Sequence, residues 1–221
     1  ALDPSGNVFV AGDIESKAVF GATTLTAAGD SDPFLTKLSP AGAFLWAKSG
    51  QGASNLEWAT GVAVDASGNA YVIGRFRSQM TFGATPLVGK GESDVFVTKY
   101  SPAGAELWAV SAGGARDDWA KGVAADGSGN LYVVGSFRDT AAFGGTTLKE
   151  AGYFSYDVFV AKLSPAGSFL GAVSAGGDGF DIANAVAIGP GGPIVGGFFE
   201  ATATFPANLQ ELLGGRDAAD P

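Results

Sequence analysis

Apolar residues along this chain fall into short runs of about five to seven positions, each closed by glycine, proline, serine or asparagine. The clearest stretch begins with Gly61-Val62-Ala63-Val64-Asp65, which is small and apolar. Asn69-Ala70-Tyr71-Val72-Ile73-Gly74 follows it across a Ser-Gly turn, and the two together predict successive strands. A longer connection through Phe82-Gly83-Ala84-Thr85-Pro86-Leu87 then leads to a third strand, Asp94-Val95-Phe96-Val97-Thr98-Lys99-Tyr100. In the turn Ser101-Pro102-Ala103-Gly104, proline supplies the fixed φ of the second position and glycine is free to take φ > 0. That turn opens a fourth strand, Glu106-Leu107-Trp108-Ala109-Val110-Ser111. No segment keeps apolar residues at helical spacing over about ten positions without meeting Gly or Pro, and the runs are rich in Val, Phe and Tyr. Runs that are apolar at nearly every position, such as Val95-Phe96-Val97, predict sheets covered on both faces.

The pattern recurs. Ser5-Gly6-Asn7 returns as Ser67-Gly68-Asn69 and Ser128-Gly129-Asn130, Phe20-Gly21 as Phe82-Gly83 and Phe143-Gly144, and Ser39-Pro40-Ala41-Gly42 at 101–104 and 164–167. Independent motifs thus share one period of about 62 residues, the mark of a solenoid, propeller or array. Four antiparallel strands per period are what one β-propeller blade requires. The predicted fold class is therefore all-β, a β-propeller of four-stranded antiparallel blades with about three and a half blades in the chain. A β-sandwich, the main alternative, does not predict a repeating four-strand unit. One domain is expected over 1–221, with repeats at approximately 1–57 (partial), 58–118, 119–181 and 182–221 (partial). The chain opens on Ala1-Leu2-Asp3, the tail of a first strand, and closes on Asp220-Pro221, which matches Asp32-Pro33. A piece of a longer array is expected, or half of a two-chain ring in which self-association completes about seven blades. The last copy departs from the pattern with Gly189-Pro190-Gly191-Gly192-Pro193 and with Pro206 after Phe205, and the third copy has Gly171 where Trp46 and Trp108 stand.

The stretch Gly-Val-Ala-Val-Asp-x-Ser-Gly-Asn-x-Tyr-Val at 61–72, with Asp94-Val95-Phe96-Val97-Thr98-Lys99 and the segment from Trp108 to Gly114, resembles the bacterial seven-bladed β-propeller repeat family (SBBP-type repeats). The resemblance spans nearly the whole chain. It implies a propeller fold and an extracellular or cell-surface setting, and it implies no particular activity.

Composition narrows the function classes. With 13 basic against 22 acidic residues, the net charge of -9 opposes binding to nucleic acid and to anionic membrane surfaces, and favours cations, basic partners or neutral glycans. No apolar run approaches the roughly 20 residues of a membrane-spanning helix, so no membrane insertion is expected. Cysteine and histidine are both absent. That removes disulfides, thiolate sites, the commonest zinc ligands and every Ser-His or Cys-His nucleophile.

Asp3, Asp65 and Asp126 each stand just before a Ser-Gly turn and offer oxygens of the kind calcium takes. They lack the alternating acids and distal carboxylate of a calcium loop, so turn stabilisation is the expected role, no cofactor is expected, and calcium is the one ion left open. Glu57-Trp58, Asp118-Trp119 and Asp181-Ile182 precede the first strand of successive copies, beside the glycine-rich segments at 50–52, 113–114 and 176–177. If that strand is innermost, Glu57, Asp118 and Asp181 ring one mouth of a central channel, with Trp58 and Trp119 alongside. Such a ring holds a cation or basic ligand, and indoles stack on sugars; the competing reading has the acids capping loop amides and the indoles filling the wedge between blades. Lys37, Lys99 and Lys162 end their third strands, facing solvent or pairing with the turn aspartates. The glycine pairs open no helix and carry no Gly-Lys-Ser/Thr ending, which excludes a phosphate loop. Acids alone suffice for glycoside chemistry, but nothing marks one pair as unequal. The expectation is a non-catalytic extracellular binding or scaffold module with a protein or glycan partner, with a lectin-like domain as the alternative and a carboxylate lyase or hydrolase behind both.

Overall fold

A computed structural model describes residues 1–54, 57–153 and 155–205 of the chain. Pro206, Asp220 and Pro221 lie outside the described residues. Among the described residues there are strands and turns and no helix, with neighbouring strands antiparallel. The first period contains β1 (Val8–Ile14), β2 (Lys17–Phe20), β3 (Thr23–Thr26), β4 (Asp32–Leu38) and β5 (Phe44–Gly52). The second contains β6 (Trp58–Val64), β7 (Ala70–Phe76), β8 (Gln79–Phe82), β9 (Thr85–Val88), β10 (Asp94–Tyr100) and β11 (Glu106–Gly114). The third repeats this as β12 (Asp118–Ala125), β13 (Leu131–Phe137), β14 (Thr140–Phe143), β15 (Thr146–Lys149), β16 (Asp157–Leu163) and β17 (Phe169–Gly177). Last come β18 (Ile182–Gly189), β19 (Gly192–Phe198) and β20 (Ala203–Thr204).

The connection between the second and third strands of each of the first three periods is not a loop, as its Gly and Pro content suggests, but a hairpin. It leaves its own sheet and extends the previous one: β8 pairs with β5, β14 with β11 and β20 with β17. The second period therefore builds a sheet ordered β6-β7-β10-β11-β14-β15, in which the last two strands belong to the third period. Each period is thus hydrogen-bonded to its predecessor as well as packed on it. The Phe at the end of the hairpin's first strand meets the Phe of the following long strand, with ring centroids 4.9 Å apart for Phe20–Phe34 and Phe82–Phe96 and 4.6 Å for Phe143–Phe159.

The core lies between sheets. One cluster joins Tyr71, Ile73, Val95 and Val97 of the second sheet to Val133, Phe159 and Ala161 of the third. Burial on both faces explains why these strands read as continuous apolar runs rather than alternating ones, and each fully buried Phe or Ile adds about 1.5–3 kcal/mol. The first strands of successive sheets lie side by side, and Thr60 donates its hydroxyl from β6 to the Ala120 carbonyl of β12 at 2.7 Å. The strands β6, β12 and β18 also each carry a bulge, between Ala59 and Gly61, Ala120 and Gly122, and Ala183 and Ala185. At Gly74, opposite one bulge, a side chain would land on the Trp58 carbonyl oxygen, which is why glycine stands there.

Candidate functional site

The turn aspartates organise their own loops. Asp65 Oδ1 accepts the Ser67 and Asn69 amides, each at 2.9 Å, and Oδ2 accepts Asn69 Nδ2 and the Tyr71 hydroxyl, also at 2.9 Å. Asp3 and Asp126 bond Ser5 and Asn7, and Ser128 and Asn130, in the same way. With their oxygens taken by donors, two of these carboxylates, Asp3 and Asp65, are held toward the charged form. The side chain and amide of Asn7 together with Lys37 hold Asp3 at about 2 against the opposing effect of desolvation, and the Asp65 carboxyl also lies below its ordinary value.

The lysines reach in two directions. Lys37 pairs with Asp3 at 3.0 Å and Lys99 with Asp65 at 3.8 Å, each within its own period. Their ammonium groups also donate to the carbonyl of the next period's turn, Lys37 to Pro102 at 3.3 Å and Lys99 to Pro165 at 3.2 Å. The same two carbonyls accept the indole N–H of Trp46 and Trp108, at 3.2 and 3.1 Å, so Lys and Trp together staple one sheet to the turn of the next. Lys162 lies over the Tyr132 ring.

Glu57, Asp118 and Asp181 are all buried. They sit in the seams between sheets, where the ends of the glycine-rich strands supply amides. Gly114 N donates to Asp118 Oδ2 at 2.6 Å and Gly177 N to Asp181 Oδ2 at 2.9 Å, while Ser54 gives its amide and hydroxyl to Glu57 Oε1. Each shares its seam with a second acid that the sequence reading passed over, Asp32, Asp94 or Asp157, also buried. These bind the segment leaving the hairpin: Ala28 N to Asp32 at 2.6 Å, Lys90 N to Asp94 at 2.7 Å and Ala151 N to Asp157 at 2.8 Å. Their signal was present, since an aspartate opens the third strand of every full period. Burial raises Asp94, lifts Asp157 to about 6 and Asp118 to about 8, with the neighbouring carboxylates adding to the last two. An acid near 8 has the protonation of a general acid, but Asp118 is 0% exposed and offers a substrate no approach.

The indoles are engaged from the side. The Arg75 guanidinium lies 4.2 Å from the ring centre of Trp58 and 4.8 Å from that of Trp119. Trp119 stacks at 4.9 Å on Tyr156, which stacks at 5.6 Å on Phe180. A sugar seated on these indoles would have to displace Arg75. No repeat pattern announces Arg75, because the matching positions are Asp13 and Ser136. On the surface of the third period, a polar cavity of about 460 Å³ is lined by Arg116, Arg138, Asp139, Lys149, Glu150 and Tyr153, the last of them 86% exposed. Among the described residues no group of three or more acidic side chains is placed to hold a metal ion.

These sheets, with their repeated seams, define an all-β repeat protein. Residues 108–136 match the β-propeller repeat family (SBBP), and the chain carries that repeat. An uncharacterized WD repeat-containing protein of Acanthamoeba polyphaga mimivirus is 27% identical over 186 residues, covering 74% of this chain and 13% of that protein. The Regulatory protein FlaEY of Caulobacter vibrioides is 33% identical over 137 residues, covering 59% of this chain and 14% of that protein. The chain thus spans only a small part of the length of the curated relatives it matches.

Proposed function

We propose that the four-stranded units are propeller blades and that the chain is a non-catalytic binding or scaffold module of an extracellular or cell-surface protein. The observation that carries this reading is where the repeated polar chemistry goes. The acids that recur in each period, and Lys37 and Lys99, hold turns or join one unit to the next, so the residues a catalyst would repeat are consumed by architecture. What remains for a partner is on the loops, and the cavity beside exposed Tyr153, with cations and acids around one ring, is suited to a protein or glycan surface. The extracellular setting rests on the family resemblance. In this reading further repeats or a second copy supply ring closure, and the mass of the chain in solution tests the latter.

The loop-face reading is tested by probing a glycan array and an array of cell-envelope proteins with the wild-type chain, with Tyr153→Ala, and with Trp58→Ala/Trp119→Ala. Binding that Tyr153→Ala abolishes and the double variant retains is expected. The reverse pattern would move the site to the indoles and support the lectin reading.

A further inference from the structure

Three seams join the sheets, and they are not chemically equal. In the first, Gln51 follows Gly50 on β5 and gives its side-chain amide to Asp32 at 3.4 Å. The positions matching Gln51 in the next two seams are Gly113 and Gly176, so no such donor is present. The carboxyl groups occupy the space instead. A side chain at Gly113 would meet Asp94 Oδ1 and, 2.7 Å away, Asp118 Oδ2, while one at Gly176 would meet the Asp157 carboxyl. Asp118 Oδ1 and Asp157 Oδ1 are buried without a hydrogen-bond partner, which a carboxylate tolerates poorly and a neutral acid tolerates far better.

We propose that the second and third seams are proton-operated: each holds a buried pair of carboxyl groups, Asp94 with Asp118 and Asp157 with Asp181, of which Asp118 or Asp157 is accommodated as the neutral acid. The sheets then hold together more tightly as the solution is acidified from mildly alkaline pH. The charged surroundings favour this. Asp118 faces Asp94 across the seam and has Asp117 beside it; Lys90 acts on Asp94, and the main-chain amides of Gly114 and Arg138 bond Asp118 without outweighing burial. Asp157 faces Asp181 and Glu150. Charge repulsion and burial therefore act together in both pairs. Because the folded values, about 8 and about 6, lie above the ordinary carboxyl value of 3.8, protons bind the folded chain more tightly than the unfolded one. The stabilisation is complete below about pH 4 and is lost as pH rises, through about 6 at the third seam and about 8 at the second.

The test is the melting temperature of the whole chain as a function of pH. It should rise by at least about 5 °C between about pH 8 and about pH 5. Asp118→Asn should flatten the upper part of that profile and melt above wild type at alkaline pH, and Asp157→Asn should flatten the lower part. A wild-type melting temperature that is level or falls on acidification would overturn the proposal, as would an unchanged slope in both variants. Should the variants fail to fold, carbon-detected NMR of the wild-type aspartate carboxyls decides: one must titrate near about pH 8, and its absence rejects the proposal. Millimolar calcium that raises the alkaline melting temperature as far as acid does would replace the proton by a cation and also reject it.

Discussion

Asp65→Ala isolates what one repeated turn contributes. The wild-type carboxylate receives four hydrogen bonds and faces the Lys99 ammonium. After truncation the Ser67 and Asn69 amides lie near the surface and regain water, so their loss is partly compensated. The Tyr71 hydroxyl does not, since Tyr71 is wholly buried, and an orphaned buried donor costs about 1–3 kcal/mol. Bonds to a charged acceptor add about 1.5–3 kcal/mol, giving a total of about 3–5 kcal/mol. For a chain of this size that corresponds to a fall in melting temperature of about 10 °C, read by circular dichroism. Tyr71→Phe removes the donor alone and should cost about 1 kcal/mol, and the double variant should cost about 1 kcal/mol less than the sum of the singles. Additive singles, or a loss under about 1 kcal/mol for Asp65→Ala, would refute the assignment of Asp65 as the anchor of its turn.

Further outcomes follow from the same contacts. Gly74→Ala places a methyl group on the Trp58 carbonyl and against Phe96, both in a closed core, and should cost about 3 kcal/mol or more in urea unfolding; a neutral result would mean that the bulge can shift. Trp108→Phe removes the bond to Pro165 and part of the ring packed on Gly167 and should cost about 1–2 kcal/mol, whereas Trp108→Ala, which uncovers Gly167 altogether, should cost about 2–3 kcal/mol by the same measurement. On the acid side the sign reverses: Asp3, held at about 2, and Asp65, also depressed, stabilise the fold above about pH 4 and lose that effect as pH falls, so a melting profile below about pH 4 should descend and Asp3→Asn should flatten it.

What was legible in the sequence is what is local. The runs at 69–74 and 94–100 read as strands because β-branched and aromatic residues lie between turn residues whose backbone demands are evident, and Gly68 and Gly104 adopt the positive φ, 78° and 82°, that their places in the turns require. The hairpin of β8 and β9 was not legible. Its arms are four residues each, and Pro86 sits inside one of them, which argues against a strand unless that strand is an outer edge, as β9 is. Its other partner, β11's counterpart β5, belongs to the previous period, and nothing local announces a pairing at that distance.

The same reasoning explains the site. Glu57, Asp118 and Asp181 stand where first strands begin, but whether a side chain at the start of a strand faces water or a neighbouring sheet depends on what that sheet brings to it. The cross-period bonds make the point: Lys37 to Pro102 and Lys99 to Pro165 span 65 and 66 residues, and Trp46 to Pro102 and Trp108 to Pro165 span 56 and 57. Each separation lies close to one repeat length. In a repeated sequence, then, a residue's partner is found by adding one period to its neighbourhood, and a polar residue that recurs is to be examined first for a bond to the next copy. By that rule Asp94 and Asp118, which open the third strand of one period and the first strand of the next, become a pair, and the glycine between them becomes the reason the pair can close.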